Sequence, residues 1–296
     1  MSYQDFIDYL KYEKRVSAHT VTAYEHDLAL FFAFLEEKLE IHQLQDVHTS
    51  DIRAWVISLL EDESLQAKSV SRKISAVKAF YRYKLKIKEL SVNPTLSIHS
   101  PKLAKKLPQY VDQHDMEHLF ADVPFEDTFE GMRDRAIIEL FYATGMRLSE
   151  LLNIKIQDIH FQDNTIKVLG KRNKERLIPF GNRLSELLTI YLDNLQKKFF
   201  DGTENNFIFV TAKGKSLYPK AIYRIVRKYL DMVTTIDKRS PHVIRHTFAT
   251  HMLNNGADLN AIKTILGHSS LASTQVYTHN TFEKLKTVYK QAHPRA

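Results

Sequence analysis

From Asn93 to Gln109 the chain reads NPTLSIHSPKLAKKLPQ, with Pro94, Pro101 and Pro108 set among Ser, Lys and His. Residues of this kind interrupt helices and extend the backbone, and the hydrophobic period differs on either side of them. Upstream the apolar residues recur every three or four positions. The stretch SAHTVTAYEHDLALFFAFLEEKL opens on Ser17 as a capping residue and repeats Val21, Tyr24, Leu28, Phe31 and Leu35. TSDIRAWVISLLEDE follows, with Thr49 or Ser50 as its cap, and KSVSRKISAVKAFYRYKLKIK sets Val70, Ile74, Val77 and Tyr81 against basic residues. Downstream, alternating segments around Ile159–Phe161, Thr165–Leu169 and Arg176–Phe180 are joined by QDN and GKRNK turns. The expected architecture is mainly α with a small antiparallel β-sheet: a helical domain over residues 1–98, a linker over 99–109 and a mixed domain over 110–296.

A length of 296 residues with 44% hydrophobic content suffices for two cores. The absence of cysteine excludes a disulfide framework and thiolate chemistry. The start, MSYQDFIDYLKYEKR, lacks the layout of a signal peptide, and no apolar run reaches the length of a membrane span, so a cytoplasmic location is expected. The net charge of +7 favours an anionic partner. Residues 1–100 hold 13 Lys and Arg against 14 Asp and Glu, so the excess lies in the rest of the chain. Even so, Gln66–Lys88 carries eight basic residues, Lys68, Arg72, Lys73, Lys78, Arg82, Lys84, Lys86 and Lys88, and no acid. Alone, such a strip is an ordinary solvated helix face.

Four places gather chemistry. In YATGMRLSELLNI, Arg147 and Glu150 are three apart, one face of a helix and on its own a surface ion pair. In VLGKRNKERLIP, Lys171 leads a basic turn with Arg172 and Lys174. In SPHVIRHTFATHMLNNGAD, Ser240 is placed to cap, Pro241 suits the first helical position, and Asn255 with Gly256 ends the helix. His242 and Arg245 then share a face near a helix N-terminus, a setting that favours phosphate. A metal reading of His242, His246 and His251 fails on spacing, because Arg245 sits beside His246 and no acid lies between the histidines. Last, LGHSSLASTQVYTH sets His268 nine positions ahead of Tyr277.

These motifs, in this order and over nearly the whole length, resemble those of the tyrosine site-specific recombinases of the phage integrase family, specifically the Xer type. The resemblance runs from SAHTVTAYEHDLALFFAFL through SPKLAKKLP, ATGMRLSELLNI, GKRNKERLIP and SPHVIRHTFATHMLNNGADLNAIKTILGHSSLASTQVYTH to HPRA. It implies that Arg147, Lys171, His242, Arg245, His268 and Tyr277 fill the active-site positions, with Glu150 in the accompanying acidic one. It also implies a helical core-binding domain and a catalytic domain forming a C-shaped clamp on double-stranded DNA with paired inverted half-sites. A homo- or hetero-tetramer with a paralogous recombinase and an activating DNA translocase follow as expected partners, and chromosome-dimer resolution as the setting. Lys68, Arg72, Lys73, Lys78, Arg82, Arg172 and Lys174 become candidate DNA contacts.

The residue types suit that chemistry. Attack on a phosphodiester adds negative charge, which Arg147 and Arg245 can hold by bidentate hydrogen bonds. Tyr277 as nucleophile gives a 3′-phosphotyrosyl link and releases a 5′-hydroxyl, conserving the bond without ATP. Lys171 is the expected donor to the leaving oxygen, and His242 and His268 manage hydrogen bonds around the phosphate. No metal or other cofactor is required, because protein cations cover the Lewis-acid role. The competing readings are a DNA-binding regulator without chemistry, a type IB topoisomerase, and an integrase or transposase of a mobile element. The tail, TFEKLKTVYKQAHPRA, repeats Phe282, Leu285 and Val288 or Tyr289 as a short amphipathic helix. By the resemblance it docks on a neighbouring protomer, and the chain cut after Lys284 is expected to stay folded.

Overall fold

Ser17 starts the longest helix: its hydroxyl accepts from the amide of Thr20 at 3.3 Å. The computed structural model describes residues 1–101, 109–170, 174–199, 207–267 and 279–296, with side chains from residue 282 in the last stretch. The chain divides into two units, residues 1–106 and 107–296, and each has its own core.

The first unit consists of α1 (Gln4–Asp8) with a π turn over Tyr9–Glu13, α2 (Ala18–Leu39), α3 (Thr49–Glu61) and α4 (Ala67–Lys86). The predicted stripe on α4 is its buried face, since Val70, Ile74, Val77 and Tyr81 are all inaccessible. They meet Leu28, Phe31 and Leu35 of α2 and Trp55 of α3, whose ring stands edge-on to Phe31 at 4.8 Å. Truncating Trp55 to Ala would cost about 3–5 kcal/mol. The cap of α3 is neither Thr49 nor Ser50. His48 takes that position and its amide donates to the Asp51 carboxylate at 2.7 Å. The Thr49 hydroxyl is instead used at 2.9 Å on the Pro94 carbonyl, tying the start of the proline-rich stretch to this unit.

The second unit contains α5 (Gln113–Ala121), α6 (Phe129–Thr144), α7 (Leu148–Leu152), strands β1 (Ile159–His160), β2 (Thr165–Leu169) and β3 (Glu175–Pro179), then α8 (Asn182–Phe199), α9 (Pro219–Leu230), α10 (Pro241–Asn254), α11 (Leu259–Leu266) and α12 (His279–Ala292). The strands form one antiparallel sheet in the order β1-β2-β3, with Ile166 opposite Ile178 and Lys167 opposite Leu177. The expected small sheet is therefore present. Almost all of α6 from Ala136 onward is buried, and it packs on α8, α9 and α10 as the axis of the unit. Helix α12 packs on α10, α11 and β3 of its own chain and buries Leu285, Tyr289 and Ala292 there. Gly181 makes room for the carboxyl end: a Cβ on it would lie 2.5 Å from backbone atoms of Arg295 and Ala296. No helix among the described residues is long and apolar enough to cross a membrane.

Candidate active site

Helix α6 stops at Gly145, whose φ of 58° is left-handed and whose missing Cβ leaves space for Phe248 and Leu266. The turn buries Met146 and delivers Arg147 to the N-cap of α7 with extended backbone. Arg147 thus precedes the helix rather than sharing its face with Glu150, and the pair is not a surface one, because Glu150 is only 4% exposed. The Arg147 amide and guanidinium donate to the two Glu150 carboxylate oxygens at 2.7 and 2.8 Å. The guanidinium also reaches the Gly267 carbonyl at 3.0 Å.

The other partner of Glu150 is Arg176, which is not among the residues expected at the site. Arg176 of β3 donates through both terminal nitrogens to the carboxylate, at 2.8 and 2.9 Å, and through Nε to the Ile265 carbonyl at 2.7 Å. A signal was available: along β3, Arg176 and Ile178 alternate with Glu175 and Leu177, so the period of two sends the arginine inward and leaves Leu177 exposed. Burial alone would raise the Glu150 pKa, but the hydrogen bonds and charge of Arg176 and the donors of Arg147 outweigh it and hold the carboxyl below its ordinary range. Glu150 is a fixed anion between two cations.

Arg245 completes the group from α10. It donates to the Gly145 carbonyl at 2.7 Å and the Leu266 carbonyl at 2.8 Å. Burial and the neighbouring charge of Arg147 lower its pKa to about 10, which leaves it cationic at neutral pH. Arg176, Arg245 and Arg147 therefore bind the consecutive carbonyls of Ile265, Leu266 and Gly267 at the C-terminal end of α11, where unpaired carbonyls and the helix dipole favour cations. Three guanidiniums against one carboxylate leave the cluster net positive. That is a seat for an oxyanion.

His242 is exposed in the first turn of α10, one turn ahead of Arg245. Ser240 holds the N-cap position, but its side chain makes no capping bond. His251 is buried against the Tyr142 hydroxyl at 2.9 Å, and His246 lies edge-on to Tyr110, so both have packing roles. Among the described residues no group of three His, Asp or Glu is arranged to hold a metal ion. Lys171, Arg172, His268 and Tyr277 lie outside the described residues. Lys174 is exposed at the entrance to β3. Tyr289, the other tyrosine near the end, is buried, so its hydroxyl is not presented to solvent, and burial raises its pKa.

Of the basic residues on α4, Lys68, Arg72, Arg82 and Lys86 are exposed and fall on one stripe, with Lys78 half-buried beside them. Lys73 does not belong with them. It is 4% exposed and neutralises the fully buried Asp27 at 3.1 Å, with Arg72 as that carboxylate's second partner. Lys84 is likewise buried, between Asp5 and Glu89. A second basic face, not expected from the sequence, lies on α9: Lys220, Tyr223, Arg224 and Arg227 are exposed while Ile222, Ile225 and Val226 are buried.

Residues 109–284 match the model of the phage integrase family, and residues 3–88 that of the phage integrase N-terminal SAM-like domain. Proteins named tyrosine recombinase XerC are similar throughout: that of Staphylococcus aureus is 41% identical over 98% of this chain and 96% of its own length. That of Chlorobaculum parvum is 37% identical over 99% and 94%. Among solved structures, the Tn1549 transposon integrase in complex with transposon right-end DNA aligns with a TM-score of 0.73 at 20% identity, over 95% of this chain and 96% of that one. The XerH site-specific recombinase bound to a palindromic difH substrate gives 0.72 at 21%, over 93% and 80%. The chain belongs to the phage integrase family of tyrosine recombinases. Within that family it is a site-specific recombinase of the Xer type.

Proposed function

We propose that the chain cuts and rejoins double-stranded DNA through a 3′-phosphotyrosyl link to Tyr277, with exchange passing through a Holliday junction. The observation that carries this is the convergence of Arg147 and Arg245 on the end of α11, immediately ahead in sequence of the segment bearing His268 and Tyr277. The two guanidiniums hold the scissile phosphate and take up the charge added in the transition state. Tyr277 attacks phosphorus and gives up its hydroxyl proton to the histidines around the phosphate, the 3′ oxygen stays on phosphorus, and the 5′ oxygen leaves with a proton from Lys171. His242 and His268 hydrogen-bond around the phosphate. Rejoining is the same step in reverse with a new 5′-hydroxyl.

Residues 1–98 form the core-binding domain, 99–109 the linker and 110–296 the catalytic domain; the division near residue 106 supports this. The exposed stripe of Lys68, Arg72 and Arg82 and the α9 face of Lys220, Arg224 and Arg227 neutralise backbone phosphates. Two inverted half-sites are paired by a tetramer, made of this chain alone or with a paralogous recombinase, in the cytoplasm. Resolution of chromosome dimers, triggered by a DNA translocase, is the biological role that fits the similarity to proteins named XerC. The test is a nicked suicide duplex carrying the recombination site. A covalent protein–DNA product whose linked peptide contains Tyr277 supports the reading, and a linked peptide from another part of the chain refutes it.

A further inference from the structure

Arg176 is buried with all three guanidinium nitrogens engaged, yet the reaction above gives it no part. Its guanidinium fills a slot between two glycines. A Cβ on Gly267 would lie 3.0 Å from Nη1 and one on Gly170 would lie 3.4 Å from the same atom. Three of its donors are used in two directions at once: two parallel bonds to Glu150 on α7 and one to Ile265 on α11. It is 6% exposed. The bridge therefore joins three separate elements, β3, α7 and α11, behind the two arginines that face the oxyanion seat.

We propose that Arg176 is a positioning residue for strand cleavage. It fixes the Glu150 carboxylate, Glu150 in turn fixes the Arg147 guanidinium, and the bond to Ile265 fixes the carbonyls that orient Arg245 and Arg147. Both phosphate-holding cations thus take their aim from a buried residue whose own donors are spent on Glu150 and Ile265. The proposal rests on the reading that Arg147 and Arg245 hold the scissile phosphate. Lysine cannot replace Arg176, because a single ammonium cannot make a two-pronged bond to a carboxylate and a third bond to a carbonyl in another plane.

The experiment uses the full chain and a suicide duplex that the parent protein cleaves, with Arg245→Lys as the control that tests the underlying reading separately. Duplex affinity, the rate constant of adduct formation at saturating protein, and the final adduct amplitude are measured for Arg176→Lys and Arg176→Ala. A positioning role lowers the rate constant by about 100-fold, the scale of an ångström's misplacement, with affinity and amplitude close to the parent's. Added methylguanidinium, by refilling the slot, restores rate to Arg176→Ala but not to Arg176→Lys. Parent-like rates in either variant overturn the proposal. So does a loss in which affinity, amplitude and melting temperature fall together in both variants, since Arg176 would then only hold the fold.

Discussion

Arg245 and Leu266 are joined by a 2.8 Å bond from guanidinium to carbonyl, so a cation carried on α10 is fastened to the last residue of α11. Because the same guanidinium also grips Gly145 at the end of α6, three helices fix its plane. Replacing it with lysine keeps the charge and loses the two-carbonyl grip. Arg245→Lys is expected to slow adduct formation by about 100- to 1000-fold while leaving duplex affinity nearly unchanged. Single-turnover cleavage alongside a binding titration checks this.

The exposed basic residues act on DNA through charge, and their signature is salt dependence. Lys68→Ala, Arg82→Ala, Lys220→Ala and Arg224→Ala should each flatten the plot of log affinity against log salt by about one unit of slope. Lys73→Met should leave that slope alone and instead lower the melting temperature, because it takes a partner from the buried Asp27. Binding isotherms at several salt concentrations, with thermal melts, separate the two groups.

That contrast shows where the sequence could be read and where it could not. Val70, Ile74, Val77 and Tyr81 announced the buried face of α4, and the alternation after Ile159 announced the sheet, because burial of apolar side chains follows the period of the element. Lys73 and Arg176 are the reverse case. Each is a charged residue on an inward position, which the period of its element can indicate, but its partner is a carboxylate 46 or 26 residues away, Asp27 or Glu150, and that pairing no local pattern reveals. Arg147 was found by its motif, but its extended backbone ahead of α7 depends on the Gly145 turn. The α9 face was passed over although its basic and aromatic residues alternate with Ile222, Ile225 and Val226 at helical spacing.

His293 makes the catalytic unit acid-sensitive. Its Nε2 meets the Tyr142 carbonyl at 3.0 Å and its Nδ1 accepts from the Arg295 amide at 3.1 Å, so it is neutral in the fold. Burial is the main reason its pKa falls to about 4, against about 6.5 in the unfolded chain. Between those values the unfolded state takes up a proton that the folded state refuses. Stability is whole above pH 6.5 and declines as the pH drops towards 4, by about 3 kcal/mol at most. His251, whose pKa burial also lowers, adds in the same direction. Melting temperature against pH should fall over this window for the parent and fall less for His293→Gln.

Removal of residues after Lys284 should destabilise the catalytic unit, in contrast to the folded product expected from the sequence. The cut discards buried Leu285, Tyr289 and Ala292, the His293 contacts and the Arg295 ion pair, leaving Glu139 buried without that partner. Any exchange of α12 with a neighbouring protomer must first break these contacts. A melting transition lowered by more than about 10 °C, as expected for several kcal/mol in a domain of this size, or an absent one, is the predicted outcome.

The proposed reaction turns on the hydroxyl of Tyr277. With a suicide duplex that the parent chain joins covalently, Tyr277→Phe is predicted to bind with unchanged affinity and to yield no protein–DNA adduct, because only the attacking oxygen has gone. Adduct formed by Tyr277→Phe at the parent's rate would contradict the assignment of the nucleophile and, with it, the reaction built on the arginines at the end of α11.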